Sequence, residues 1–147
     1  MLSDIITTLH QHWASSTAGT PTLYPGTVLN TDEASAWYEL WVNALGDLPH
    51  RRAHPETLNV AITIHCFARH STNTLLAHEL AEAAQVALTH QDFPIFHGAN
   101  ANNVVGHLSI REGTLRNLSK VHADRTLPQL QQLVLSFIAQ AQRLPNQ

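Results

Sequence analysis

The chain has 147 residues, a formal net charge of −3, 44% hydrophobic and only 13% charged residues. A chain of this length fits one domain, residues 1–147, with a core that needs no staples. The single cysteine, Cys66, excludes an internal disulfide framework. No basic run marks a nucleic-acid reader. No apolar run reaches the roughly 20 residues that span a bilayer, and the N-terminus lacks the basic and long apolar regions of a signal peptide. The composition reads as that of a soluble, intracellular protein, and charges so sparse lean toward an assembly partner.

Ser3 to about Trp13 reads as a first helix. Ser3 is a candidate N-cap, Asp4 suits the positive helix end, and Ile5, Leu9 and Trp13 recur every four residues. The run Ser15–Pro21 ends it, a short extended piece, Thr22–Tyr24, follows, and Pro25-Gly26 signals a turn. After a polar loop over Asn30–Ala34, Ala36–Leu45 reads as a strand. Ala36, Tyr38, Leu40, Val42 and Ala44 take one face; Trp37, Glu39, Trp41 and Asn43 take the other. The tryptophans admit two readings. They pack under a loop or the first helix, or Trp37 and Trp41 form an aromatic patch for protein contact on a face the helices leave open.

Gly46–Pro55 reads as a long loop between two antiparallel strands, and it carries Arg51 and Arg52, the only adjacent cations. They belong either to a solvated loop tip or to a contact with an acidic partner surface. The stretch Thr57–His90 is the most informative. Leu58, Val60, Ile62, Ile64, Cys66 and Ala68 alternate with Asn59, Ala61, Thr63, His65, Phe67 and Arg69, a period of two sustained over a dozen residues. Ser71-Thr72-Asn73 then supplies helix-capping residues. Beyond it Leu76, Leu80, Ala83, Ala84, Ala87 and Leu88 recur at helical spacing, with His78, Glu79, Glu82 and Gln85 opposite. A long strand and a helix with one apolar face each bury against one another.

Gln91–Asn103 reads as irregular, ending in an asparagine-rich exposed loop. Val104–Ile110 is a further strand with Gly106, Leu108 and Ile110 on one face, and Arg111–Gly113 suggests a turn. Leu115–His122 is ambiguous, with an edge strand blunted by Arg116 and Lys120 as one option. Leu127–Leu144 fits both periods: Leu130, Leu133, Val134, Phe137, Ile138 and Ala141 make a helical stripe, while Leu133, Leu135, Phe137, Ala139 and Ala141 alternate.

The 11 histidines raise a metal-dependent enzyme as a hypothesis. His78-Glu79 begins like H-E-x-x-H, but Glu82 stands where the second histidine belongs. His78 and Glu82 share a helix face without the three or four ligands a site needs. His65 and Cys66 point to opposite sides of a strand. His50 and His54 flank a cationic pair that disfavours a metal. No G-x-S-x-G, Walker A or G-x-G-x-x-G occurs, so no nucleophile or phosphate loop is marked. Scattered histidines read more simply as neutral polar surface that charges in acid.

In order, the elements are helix, short extended piece, strand, long loop, long strand, helix, loop and late strands. This order resembles the tail terminator, or tail completion, family of long-tailed bacteriophages. The segment ITIHCFARH followed by NTLLAHELAEAAQVAL is similar to the family's central strand–helix unit, and SDIITTLHQHW, LYPG and AWYELWV match its beginning. The resemblance spans Met1 to about Arg143, and the Gly98–His122 region departs from the pattern.

The resemblance implies that QLQQLVLSFIAQAQ is a strand. It also implies a structural protein of the virion, not an enzyme, with no cofactor and no bound metal. Such proteins form a homohexameric ring on the head-proximal end of the tail tube, end tube polymerisation and join the head connector after assembly in the host cytoplasm. The implied partners are other copies of the chain, the tail tube protein and the head–tail connector. No membrane and no sequence-specific nucleic acid is involved; DNA passes through the ring lumen. The expected fold is α+β, a mostly antiparallel sheet with helices chiefly on one face. Trp37, Trp41, Arg51 and Arg52 are the expected contact residues. The alternatives are a head–tail connector of the same virion, the small metal-dependent enzyme, and a monomeric binding module.

Overall fold

The computed structural model describes residues 1–45, 57–69, 73, 75–98, 102–119 and 130–145. Two helices, α1 (Leu2–Ser16) and α2 (Leu76–Leu88), accompany seven strands. These are β1 (Thr22–Leu23), β2 (Ala36–Ala44), β3 (Thr57–Ala68), β4 (Asp92–Phe96), β5 (Val104–Ile110), β6 (Thr114–Asn117) and β7 (Gln131–Arg143). The strands form one sheet in the order β1-β2-β3-β7-β5-β4, with β6 also on β7. Every pairing is antiparallel except β1 with β2. The fold is α+β.

The alternation in β3 sets the two faces. Val60, Ile62, Ile64, Cys66 and Ala68 are fully buried. Register carries that face across the sheet: Tyr38, Leu40 and Val42 lie opposite Cys66, Ile64 and Ile62, and Leu133, Leu135, Phe137 and Ala139 lie opposite Cys66, Ile64, Ile62 and Val60. Both helices join the same core, α1 through Ile5, Leu9 and Trp13 and α2 through Ala77, Leu80, Ala81, Ala84, Ala87 and Leu88. Burial of this shared face is the main favourable term in folding.

Polar groups fix how the helices sit. The Tyr38 hydroxyl donates to the Leu80 carbonyl at 3.0 Å, and His12 Nε2 lies 2.8 Å from the Ala87 carbonyl oxygen, tying α1 to α2. The Trp13 indole donates to Thr22 Oγ1 at 2.9 Å and its ring meets Tyr38 edge-on at 5.0 Å. At the other edge the Phe96 N–H donates to Thr8 Oγ1 at 3.3 Å. Thr8 and Trp13 stand about 7.5 Å apart along a helix, whereas β2 and β4 would lie about 19 Å apart in a flat sheet. The sheet therefore curls around α1.

Asp4 anchors the start of α1. Its carboxylate accepts the Gly98 N–H at 3.1 Å, faces His97 Nδ1 at 3.3 Å and pairs with the Met1 ammonium at 3.3 Å. The Gly98 bond above all, with the nearby positive charges, holds Asp4 below the usual carboxylate range against the opposing effect of burial.

Several expectations shift. The helix begins at Leu2, so Ser3 is inside its first turn and caps nothing; its carbonyl accepts the Thr7 hydroxyl instead. The helix runs on to Ser16, where the Ser15, Ser16 and Thr17 hydroxyls add second hydrogen bonds to the His12 and Trp13 carbonyls, and the Thr17 N–H closes the end on Trp13 at 2.9 Å. In α2, Ala83 is exposed and Ala81 takes the core place. The irregular stretch after α2 contains β4, five residues paired to β5. The expected turn at Arg111–Gly113 is a bulge: from the pair Ile110–Ala139 to the pair Thr114–Ser136 one side advances four residues and β7 only three, so β5 and β6 form one bent strand. The last segment is a strand paired along β3 through twelve residues. Among the described residues no helix is long and apolar enough to cross a membrane.

Candidate assembly surface on the open sheet face

The face of β2, β3 and β7 that points away from the helices is built in rows. Register places Trp37, Phe67 and Gln132 side by side, then Glu39, His65, Val134 and Arg116, then Trp41, Thr63, Ser136 and Thr114, then Asn43, Ala61 and Ile138. The first row is closed. Trp37 stacks on Phe67 at 5.0 Å and 17°, the Arg69 guanidinium lies over the indole at 5.2 Å, and both rings are buried. Arg69 also donates to the Thr31 carbonyl at 3.2 Å, which pins it there. Among the described residues the buried Trp37 Nε1 meets no acceptor. His65 continues the stack on Phe67 at 6.0 Å, and its Nδ1 lies 2.9 Å from the Gln132 amide nitrogen.

The far rows are open. Trp41 is 41% exposed, Leu45 51% and Ile138 63%. Leu45, Ala61, Thr63, Thr114, Ser136 and Ile138 line a groove of about 430 Å³ with Arg111 and Glu112 at its rim. The tryptophans of the sequence reading thus part ways. Both lie on the face away from the helices; Trp37 is a packing residue there and Trp41 is presented to solvent. Arg51 and Arg52 lie outside the described residues, as do His50 and His54. Ile138 and Leu45 were not singled out from sequence. The alternation in the last segment put Ile138 off the core face, and that was the available signal.

Groups that could do chemistry are placed otherwise. Cys66 is in the core, where burial pushes its thiol up to about 12, the opposite of an activated nucleophile. His78 and Glu82 lie on the exposed side of α2. His65 and Cys66 face opposite sides of the sheet. Among the described residues no three of histidine, cysteine, aspartate and glutamate gather as metal ligands. A smaller hollow of about 280 Å³ beside α1 is lined by Thr8, His12, Ser15, Phe93 and Phe96. Thr8, His12 and Ser15 already spend hydrogen bonds on the Phe96 N–H, the Ala87 carbonyl and the His12 carbonyl.

No protein-family model matches the chain, and no curated protein does. A solved structure at 12% sequence identity superposes with a TM-score of 0.68, covering 99% of this chain and 99% of that chain. At that identity the likeness is one of fold, and it extends over the whole length of both chains.

Proposed function

We propose that this chain is a tail terminator of long-tailed bacteriophages, a structural protein that closes into a ring of six copies on the head-proximal end of the tail tube. There it ends polymerisation and presents a surface to the head connector. The observation that carries the reading is the segment Gln131–Arg143. Its periodicity fits helix and strand alike, the family resemblance asks for a strand, and the segment is a strand at the middle of the sheet. The open sheet face adds to it. Trp41, Leu45 and Ile138 present apolar area around a groove, the composition that protein contacts favour. A ring requires a heterologous contact that closes by rotation, and a one-sided α+β sheet leaves such surface uncovered.

The test is native mass across a concentration series, with electron micrographs of the same samples and an assay of tube growth. Closed rings near six copies that stop elongation of polymerising tube protein are the expected result. A monomer carrying one tightly held zinc ion would overturn the reading in favour of the enzyme. Rings that bind a portal-proximal connector and leave tube growth unaffected would move the chain to the connector role.

A further inference from the structure

The two outer boundaries of this sheet are treated differently along their lengths. At β4, Pro94 removes one backbone donor, and the Phe96 N–H is taken by Thr8 of α1. These are ordinary protections of an edge. At β2 the protection stops early. β1 pairs only with Tyr38 and Glu39, and Pro25, lacking an N–H, cannot prolong that ladder. The Tyr38 N–H points outward to the Pro21 carbonyl and the Leu45 N–H points inward to the Asn59 carbonyl. By strand alternation Val42 and Ala44 therefore point N–H and C=O outward, and no described strand meets them. The stretch Leu40–Leu45 carries no charge. An uncharged edge next to an exposed Trp41 is a template for another strand.

A second open edge lies across the sheet. β6 pairs with β7 on one side only among the described strands, and all four of its residues are exposed. The Leu118 N–H points to the Gln132 carbonyl of β7, so Leu115 and Asn117 point their backbone groups outward. β2, β3, β7 and β6 alternate in direction. The β6 of a second copy laid beside β2 is then antiparallel, and the alternation continues unbroken from copy to copy.

We propose that copies of this chain join edge to edge, the Thr114–Asn117 strand of one seated on the Val42–Ala44 edge of the next; the proposal deepens the ring reading and rests on it. Three matches, which follow from the even run of four antiparallel strands β2–β3–β7–β6, favour a second copy as the occupant. Strand direction is correct. The outward residues pair, Leu115 with Ala44 and Asn117 with Val42, so that each pair exchanges two backbone hydrogen bonds. The faces agree: Ala44 and Val42 share the helix-side face of β2, and Leu115 and Asn117 share that face of β6. The same register sets Arg116 beside Asn43 and diagonal to Trp41 on the open face, within reach of a cation–π contact. The contact uses different surfaces on the two copies, as a ring demands.

The double variant Ala44→Cys/Leu115→Cys tests the geometry. Within one chain these positions are three strand spacings, about 14 Å, apart across the sheet and offset by a further four residues along it, too far for a disulfide. The buried Cys66 stays out of the reaction. Mild oxidation is expected to give covalent dimers and longer ladders from the double variant and none from either single variant. Leu115→Pro and, independently, Ala44→Pro delete only an outward donor, which edge strands tolerate. Each is expected to raise the concentration for half-assembly about tenfold or more while keeping the native circular dichroism, a shift that Leu115→Thr does not produce. Rings that form without the cross-link, or that both proline variants leave untouched, would overturn edge pairing and spare the ring reading. Cross-linked open chains that never close would support edge pairing and count against the ring. Monomers that yield no ladder at any concentration would overturn the pairing outright.

Discussion

The phenolic hydroxyl of Tyr38 donates 3.0 Å to the carbonyl oxygen of Leu80, 42 residues away, and so ties β2 to the middle of α2 through the core. The same ring receives the edge of Trp13 from α1. One side chain thus sets both helices against the sheet. Tyr38→Phe keeps the ring and deletes the bond. It is expected to lower stability by about 0.5–1.5 kcal/mol in urea unfolding, because the Leu80 carbonyl still serves its helix. Tyr38→Ala, which also empties the core, is expected to cost about 3–5 kcal/mol.

Asp4 should make stability pH-dependent in a defined direction. Its folded value lies below the ordinary 3.8. A lowered carboxylate contributes stability above the unfolded value, and the contribution is lost as pH falls through the folded one. The difference in unfolding free energy between the wild type and Asp4→Asn is therefore expected to be full near neutral pH and to shrink below pH 3.8. Thermal melts of both proteins from pH 7 to pH 2 measure it; a difference that grows on acidification would contradict the assignment.

The two tryptophans of β2 should separate stability from assembly. Trp37 is buried against Phe67 and Arg69, and Trp37→Ala is expected to cost about 3–5 kcal/mol of folding stability. Trp41 is 41% exposed, and Trp41→Ala is expected to change the urea midpoint little, within about 0.5 kcal/mol, while weakening self-association in sedimentation. Equal losses of stability in both variants would remove Trp41 from the contact surface.

Gly106 marks a close approach between β5 and β7. A Cβ built there falls 2.5 Å from the Gln142 carbonyl oxygen, a backbone atom that cannot swing aside. Gly106→Ala is expected to destabilise by about 1–3 kcal/mol through forced strand separation. Gly113 has the same shortfall, 2.5 Å, but against the ring of Phe137, which is itself locked in the core. Urea midpoints of the two variants report both.

Cys66 should behave as a clock for unfolding. It is fully buried with a thiol near 12, so a thiol reagent at pH 8 is expected to label it only as fast as the chain opens. Labelling in the folded state at the rate of a free thiol would contradict its place in the core.

What was legible in the sequence follows from how many residues each signal spans. The alternation of β3 and the helical stripe of α2 run long enough to fix period and face, but the stripe misses Ala77 and Ala81 and takes in the exposed Ala83, because alanine on both sides of the helix blurs its phase. β4 went unseen because five residues with Pro94 in the centre carry no period, and their pairing with β5 is a tertiary fact. The last segment was open between helix and strand because Val134 is buried on the face opposite Leu133 and Leu135, filling in the stripe that an alternating strand would leave blank. The fate of the two tryptophans was not legible either. Trp37 is closed off by register with Phe67 and by Arg69, neither of which local sequence reveals. Arg51 and Arg52 lie outside the described residues, and their role rests on sequence alone.

The place of β7 has a consequence for how the chain is made. It is the last of the described strands along the chain, yet it sits between β3 and β5 at the middle of the sheet. Until it emerges, β1–β2–β3 and β4–β5 are two pieces of sheet with no strand between them, and the carboxylate of Asp4 waits for a Gly98 amide 94 residues downstream. Stop codons anywhere before residue 130 therefore yield polypeptides with no central seam, open on both sides of the gap and prone to stick to one another. The sheet is closed by the last of its described strands, so the fold stays open until synthesis has passed residue 143.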